Sequence, residues 1–164
     1  MVIDHIVARS TNNCIGLVGM KELMWHIPSD LKRFKQITVE YDLLLCGLST
    51  FHTLPKLSGR KVAILTDWSR DCVIRQAVQP YQVYTSIDQL PDARIIVIGG
   101  KYAYDATADV VNSAHVTQLN YVPSTTEPMV TYDIPKGLVK QSYTPMERCP
   151  NSGIEYCFEY WSRK

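Results

Sequence analysis

Short, almost wholly apolar runs recur along the first hundred residues of the chain. Val2 to Ala8, Leu43 to Cys46, Val62 to Leu65 and Ile95 to Ile98 contain few polar side chains. Continuous apolar runs of this length are typical of strands that are covered on both faces, as in a parallel sheet. The pattern therefore predicts four buried strands.

The stretches between these runs predict short helices. One begins near Ile27 and continues to about Gln36, because Pro28 suits a first helical position and Asp30 complements the positive end of a helix. Weaker helical patterns cover Ser49 to Leu54, parts of Asp67 to Ala77, and Ser86 to Leu90. Apolar strands that alternate with short helices predict the α/β class and a mostly parallel sheet.

The pattern changes after Tyr104. His115 to Asn120, Leu138 to Tyr143 and Glu155 to Trp161 alternate apolar with polar residues, which predicts antiparallel strands on one side of the sheet. Cys14 to Gly16 is expected to lead into a loop that also carries Gly19. Without repeats or linkers, residues 1–164 predict one α/β domain. Its mixed sheet is mostly parallel with an antiparallel C-terminal part, and helices cover both faces.

Composition narrows the function classes. A net charge of +1 gives no electrostatic reason to expect nucleic acid or an acidic membrane as partner. No apolar run approaches the roughly 20 residues that span a bilayer, and the N-terminus does not resemble a secretion signal. Five scattered cysteines and four scattered histidines show no metal-ligand spacing, so we expect reduced thiols and no metal.

Three segments follow or precede predicted strands in places where ligands bind α/β sheets. Gly47 to Thr50 and Ile98 to Gly100 each place glycine directly after a buried strand, where a backbone without side chains can approach a pyrophosphate. A plain tight turn explains either one alone equally well. Together they favour a dinucleotide lying across the sheet.

The third segment is the helix that carries Asp30 and Phe34. These residues are four apart, so the carboxylate and the ring share a helix face with Leu31 beside them. An acid on such a face is desolvated, which raises its pKa towards the range useful for proton transfer. The alternative is that Asp30 serves only the helix N-terminus.

The order and spacing of these motifs resemble the dihydrofolate reductase family along the whole chain. Trp25 to Phe34 resembles W-x-x-P-x-D-L-x-x-F, Ser58 to Lys61 resembles P-G-R-K, and Ile98 to Gly100 resembles I-G-G. Ile6 to Ala8 and Tyr156 to Glu159 are similar to the first and last strands of the family. The resemblance implies NADPH-dependent reduction of 7,8-dihydrofolate to tetrahydrofolate, with hydride to C6 and a proton to N5. It also implies a cytoplasmic monomer of one-carbon metabolism, an antifolate target that binds no nucleic acid and no membrane.

By position, the resemblance implies catalytic roles for Asp30, for Thr117, which would support it, and for Trp25, which would order water. Arg60 would clamp the α-carboxylate of the substrate's glutamate tail. The implied substrate-binding residues are Ala8, Asp30, Leu31, Phe34, Leu54, Leu57, Arg60, Ile98, Tyr104 and Thr117. The implied cofactor-binding residues are Ala8, Ile15, Gly16, Gly47, Leu48, Ser49, Thr50, Leu65, Thr66, Asp67, Ile98, Gly99, Gly100, Lys101, Tyr102, Ala103 and Tyr104.

The sequence departs from the family pattern around the cofactor. Leu48 stands where an arginine usually contacts the phosphates, Tyr102 stands at a usually basic position, and Asp67 places an acid near the expected 2′-phosphate. Carboxylates in that role elsewhere bind a free ribose 2′-hydroxyl. We therefore expect weakened 2′-phosphate recognition and possible use of NADH. Compensating cations are available at Lys56, Arg70 and Lys101.

Two further departures concern the active-site loop. The segment from Gly16 to Trp25 is two residues longer than is common, with Met24 in place of a proline. Thr131 to Pro135 lacks the acid that pairs with this loop in the family.

Two alternatives stay open at this point. A pyrimidine reductase of riboflavin synthesis shares the fold and cofactor but would not need Asp30, Phe34 or Arg60. A non-catalytic folate or nucleotide binder would explain the lost phosphate contacts.

Overall fold

The computed structural model of the chain describes residues 1–18, 24–67 and 77–164. Its strands are β1 (Val2–Arg9), β2 (Cys14–Leu17), β3 (Leu43–Gly47), β4 (Val62–Leu65), β5 (Tyr81–Tyr84), β6 (Arg94–Gly99), β7 (Ser113–Asn120), β8 (Met129–Thr131), β9 (Leu138–Tyr143), β10 (Glu147–Arg148) and β11 (Glu155–Arg163). Its helices are α1 (Pro28–Thr38), α2 (Leu48–Thr53) and α3 (Lys101–Thr107), with a 3-10 turn at Ile87–Gln89.

Nine strands form one mixed sheet in the order β10-β11-β7-β1-β6-β3-β4-β5, with β9 also paired to β11. The pairs that join β7, β1, β6, β3, β4 and β5 are parallel. Strand β11 runs antiparallel to β7, β9 and β10. The predicted fold class, a mostly parallel sheet with an antiparallel C-terminal part, is confirmed.

The expected direction of β7 is wrong in part. Strand β7 is antiparallel to β11 but parallel to β1, so the change of direction falls after β7 and not before it. The reason is the connection through α3. It carries the chain from β6 over β1 to β7, and parallel strands need such a crossover.

The core lies on both faces of the sheet because side chains alternate along each buried strand. Leu43 and Leu45 belong to the cluster beneath α3, while Leu44 and Cys46 belong to the cluster beneath α1 and α2. Helices therefore cover both faces, as predicted. Burying one such leucine contributes about 1.5–3 kcal/mol to the free energy of unfolding.

Some elements differ from the expectation. Cys14–Leu17, expected as the start of a loop, forms β2 and pairs with β8 as a separate two-stranded sheet. Backbone hydrogen bonds join β2 to β8. They do so although Thr131 to Pro135 lacks the acid that pairs with the active-site loop in the family. Most of the helical pattern between Asp67 and Ala77 lies outside the described residues, as do Gly19, Arg70, Cys72 and the middle of the segment before Trp25.

Helix α1 forms where proline and acid predicted it. Pro28 occupies the first turn and Asp30 is its acidic residue, while Ile27 makes no side-chain cap. The helix runs two residues beyond Gln36 and ends at Thr38, whose hydroxyl donates back to the Phe34 carbonyl at 2.7 Å. No helix in the described ranges is long and apolar enough to cross a membrane.

Candidate active site

A cavity of about 850 Å³ opens between α1, α2 and the ends of β1 and β6. This volume suits a ligand of drug size. The predicted site residues that line it are Ala8, Ile15, Gly16, Trp25, Asp30, Leu31, Phe34, Ser49, Thr50, Leu54, Leu57, Arg60, Ile98, Gly99, Gly100 and Tyr104. The fold thus brings together residues that lie almost one hundred positions apart in sequence.

Asp30 is the one acid among the described residues that line the cavity. Its Oδ1 accepts a hydrogen bond of 2.5 Å from Thr117 Oγ1 of β7, so the carboxylate is bound to the sheet. Burial raises the pKa of Asp30, and the Thr117 hydroxyl and the charge of Arg33 oppose this rise. The carboxyl group is therefore placed to bind N–H groups when ionised and is easier to protonate than a solvated acid.

Trp25 forms part of the cavity wall. Its Nε1 is the one buried side-chain nitrogen or oxygen atom without a hydrogen-bond partner within the described ranges. The indole packs edge-on against Tyr121 at 6.5 Å between ring centres, which fixes its orientation. Because a buried donor costs free energy when it is left unpaired, this N–H suits an acceptor on a ligand or on a water molecule.

Three cationic side chains line the part of the cavity that lies away from Asp30, and Arg60 is the first of them. Arg60 Nη1 donates to Thr38 Oγ1 at 3.0 Å, and Arg60 Nε donates to the Ser58 carbonyl at 3.3 Å. Lys35 and Lys56 line the cavity as well. An acid at one end, cations at the other and leucine and phenylalanine between them suit a flat polar head, an apolar middle and an anionic tail.

The two glycine turns meet beside this cavity. A Cβ atom added at Gly47 would lie 3.7 Å from Gly100 N, and one added at Gly100 would lie only 2.9 Å from Thr50 Oγ1. Tyr104 of α3 donates to the Ile6 carbonyl at 2.6 Å, which ties α3 to β1 at the cavity floor. The turns therefore present close-packed backbone at the cavity, as a bound pyrophosphate requires.

We expect Gly100→Ala to destabilise the protein by about 1–3 kcal/mol, because the new methyl group overlaps Thr50. The same change is expected to weaken binding of the dinucleotide. Thermal unfolding measures the first effect and fluorescence titration with NADPH the second. Adding Thr50→Ala to this variant removes the overlapping atom and should restore Tm. Unchanged Tm and affinity in Gly100→Ala would contradict the close approach.

The remaining predicted residues lie outside the cavity lining, and the ligand contacts of all the predicted residues, inside the lining or outside it, stay predictions. Thr117 lies behind Asp30. Gly47, Leu65, Thr66 and Ala103 are buried, Leu48 is half-buried against the core beneath α1 and α2, and Asp67, Lys101 and Tyr102 are exposed. Of the compensating cations, Lys101 is 3.5 Å from Asp105 of its own helix.

Sequence reasoning missed several lining residues, namely Ile6, Val7, His26, Ile27, Lys35, Thr53 and Pro55. Most are neighbours of predicted residues, and their side chains are ordinary for a core or a surface. Helical spacing could have found Lys35, which lies four residues after Leu31 and so shares its helix face. The described residues contain no cluster of three or more His, Cys, Asp or Glu side chains able to hold a metal.

Comparison with known proteins decides the family. The sequence profile described as dihydrofolate reductase matches residues 2–163. The chain belongs to the dihydrofolate reductase family. It is 32% identical over 126 residues to dihydrofolate reductase type 9 of Escherichia coli, a match that covers 71% of this chain and 70% of that protein. It is 28% identical over 118 residues to dihydrofolate reductase of Staphylococcus aureus (strain MSSA476), with the same coverage of both chains.

A solved structure confirms the fold of this family member. Dihydrofolate reductase from Enterococcus faecalis, complexed with NADP(H) and RAB-propyl, superposes with a TM-score of 0.83 at 22% sequence identity. The match covers 99% of this chain and 96% of that protein. The described residues therefore take the architecture of that structure.

Proposed function

We propose that this chain is a dihydrofolate reductase, which transfers hydride from NADPH to C6 of 7,8-dihydrofolate and a proton to N5. The observation that carries the proposal is the position of Asp30. This sheltered acid is held by Thr117 and faces the same cavity as the glycine turn at Gly99 and Gly100. The family assignment favours this function over the pyrimidine reductase.

The acid end of the cavity recognises the pterin ring. Ionised Asp30 accepts hydrogen bonds from the ring N3–H and the 2-amino group, while Thr117 fixes the carboxylate orientation. Burial makes the acid easier to protonate, and so it promotes delivery of a proton to N5 through water. Trp25 offers its unpaired N–H to that water.

The rest of the substrate lies along the apolar wall of Leu31, Phe34, Leu54 and Leu57. Arg60 binds the α-carboxylate of the glutamate tail, and its hydrogen bond to Thr38 holds the guanidinium for a bidentate contact.

The close-packed glycine turns fit a dinucleotide, whose nicotinamide supplies the hydride when bound. Ala8, Ile98 and Tyr104 would border the nicotinamide ring, and Ile15 and Gly16 of β2 also line the cavity. Backbone at Gly99 and Gly100 would hold the pyrophosphate, and Ser49 and Thr50 would offer hydroxyls to it. These residues orient the two rings and exclude water from the reacting atoms.

A spectrophotometric assay tests the function directly. With dihydrofolate and NADPH, absorbance at 340 nm is expected to fall at a rate proportional to enzyme concentration. Binding of both ligands without turnover would support a non-catalytic binder. Turnover of a riboflavin-pathway pyrimidine in place of dihydrofolate would support the alternative reductase.

We expect this chain to prefer NADPH over NADH less strongly than an enzyme that binds the 2′-phosphate with cationic side chains. The Leu48 side chain packs against the core and offers no charge to a phosphate, and Asp67 is exposed just after β4. Steady-state kcat/KM with both cofactors, and Kd of each for the free enzyme, measure the preference. A preference for NADPH above about a hundredfold, roughly 2.7 kcal/mol, would contradict the expectation.

We propose further that residues 1–164 form one domain and that the protein is a cytoplasmic monomer. The continuous sheet from β1 to β11 supports a single domain. Cys14, Cys46, Cys149 and Cys157 are free, buried thiols, which suits a reducing compartment. Light scattering in solution tests the monomer, with an expected mass of 18.7 kDa.

A further inference from the structure

Helix α1 contacts the sheet through two charged side chains that are three residues apart, Asp30 and Arg33. Asp30 is bonded to Thr117 of β7, and the guanidinium carbon of Arg33 lies 4.0 Å from the ring centre of Phe158 of β11. Thr117 and Phe158 are direct partners in the antiparallel ladder. Side chains of such partners lie on the same sheet face and within about 5 Å of each other at Cβ.

This arrangement fixes the position of the Arg33 charge. Residues three apart on a helix are neighbours, and both of their sheet contacts are neighbours too. A guanidinium over an aromatic face is attracted to the ring, which restricts an otherwise flexible side chain. Arg33 forms no salt bridge within the described part of the chain, so its charge acts on Asp30 across space.

We propose that Arg33, fixed on Phe158, is a positioning residue that keeps Asp30 in the ionised form that binds the pterin ring. The inference rests on the proposed function and adds to it a residue that does not line the substrate cavity. None of the sequence motifs marks position 33, because the family signature leaves it variable between Leu31 and Phe34.

The charges around the pair support this role. Arg33 is the one cation, among the described residues, whose charge acts on the pKa of Asp30, and it lowers that pKa against the effect of burial. Burial lowers the pKa of Arg33, and the charge of Asp30 opposes this lowering. The other groups that interact with the pair are Thr117 and His115 of β7 and Tyr104 of α3, and Asp4 of β1 acts on His115.

These other groups do not replace Arg33. Burial and the charge of Arg33 both lower the pKa of His115, which therefore stays neutral near pH 7. Burial raises the pKa of Tyr104 well above its ordinary value, so its hydroxyl stays uncharged. Asp4 is engaged with the hydroxyl of Tyr41. His115, Tyr104 and Asp4 therefore add no positive charge near Asp30. The Thr117 hydroxyl stabilises the carboxylate by its hydrogen bond, and Arg33 adds the positive charge.

Solvent limits the size of the effect. Arg33 and Phe158 also border a shallow cavity of about 510 Å³ on the outer side of α1, together with Lys32 and His115. Water there screens the Arg33 charge, so the coupling is weaker than for a dry pair. When the charge of Arg33 is removed, we expect the midpoint of the Asp30 titration to move upward by roughly 0.5–1 pH unit.

The test compares Arg33→Gln, Arg33→Lys and Lys32→Gln. Arg33→Gln should raise the apparent pKa in the pH profile of single-turnover hydride transfer, and Arg33→Lys should keep most of the wild-type profile. Lys32→Gln is the matched control, because it removes one charge from the exposed side of the same helix. If Lys32→Gln raised the apparent pKa by the same amount, the net charge of the protein would explain the effect, and the proposal would be overturned.

A second measurement does not depend on turnover. Carbon-13 NMR titration of the labelled Asp30 carboxyl in the free enzyme should show the same upward shift in Arg33→Gln. An unchanged Asp30 titration in a folded Arg33→Gln variant would overturn the role of Arg33. Absence of dihydrofolate turnover in the wild type would instead overturn the proposed function, so the two failures are distinguishable.

Discussion

Asp30→Asn is expected to lower kcat for dihydrofolate reduction by about 10²–10⁴-fold at neutral pH. Asparagine can still accept the hydrogen bond from Thr117, but it carries no negative charge for the pterin ring and holds no exchangeable acid proton. Among the described residues that line the cavity it is the one acid, so none of these neighbours can take over. Stopped-flow measurement of hydride transfer with saturating NADPH gives the size of the loss.

The control for this prediction is stability. Because burial disfavours the charge of Asp30, the neutral amide should leave Tm unchanged or raise it slightly. The loss of rate should shrink as the pH falls, since solvent then supplies protons to the substrate. Undiminished turnover by a folded Asp30→Asn variant would favour a different substrate, such as a riboflavin-pathway pyrimidine.

The free energy of unfolding is expected to fall steeply between pH 6.5 and pH 3 because of His5. This side chain is fully buried in β1, and burial lowers its pKa to about 3. Its Nε2 lies 2.7 Å from Thr107 Oγ1 and its Nδ1 lies 2.9 Å from the Tyr132 hydroxyl. Thr107 donates to the Ala103 carbonyl at 2.8 Å, so it accepts from Nε2–H and leaves Nδ1 to accept from Tyr132.

The sign of this dependence follows from proton binding. In the unfolded chain His5 binds a proton below about pH 6.5, whereas in the folded protein it resists protonation down to about pH 3. The unfolded state therefore binds more protons in this window, and stability falls as the pH falls. The full difference is on the order of 4 kcal/mol at pH 3, relative to pH 7.

Urea unfolding followed by circular dichroism from pH 4 to 8 measures this loss. His5→Leu should be about 1–3 kcal/mol less stable at pH 7, because it leaves the Tyr132 hydroxyl unpaired, yet its stability should depend less on pH. The exposed His52 offers a control, since His52→Gln should keep the wild-type slope. Asp30 acts in the opposite direction in acid, because its pKa is raised. If the free energy of unfolding of His5→Leu depended on pH as steeply as that of the wild type, His5 would be ruled out as the cause of the acid destabilisation.

The strongest sequence predictions were those that depend on local pattern. The four apolar runs form β1, β3, β4 and β6, and the segment with Pro28 and Asp30 forms α1. In each case a stretch of several residues carries the signal by its own periodicity. Strands β2, β8 and β10 have two to four residues each, so they contain too few positions for a period to be visible.

The candidate site was predictable where a motif placed several residues on one element. The cavity lining contains Asp30, Leu31 and Phe34 of α1 together with Ile98 to Gly100 of one glycine turn, whereas the other turn contributes Ser49 and Thr50 but not Gly47. Lys35 and Thr53 were missed because lysine and threonine on a helix surface are ordinary. Whether such residues face a ligand depends on the packing of their helix against the sheet.

The sequence by itself determined the class of fold, the helix that carries the acid and the pair of turns for a dinucleotide, because burial and backbone preference act over neighbouring residues. Only the tertiary structure decided that β7 is parallel to β1, that His5 is a buried neutral base and that Arg33 stacks on Phe158. His5 finds its partners 102 and 127 residues away, and such pairings depend on which surfaces the complete chain brings together.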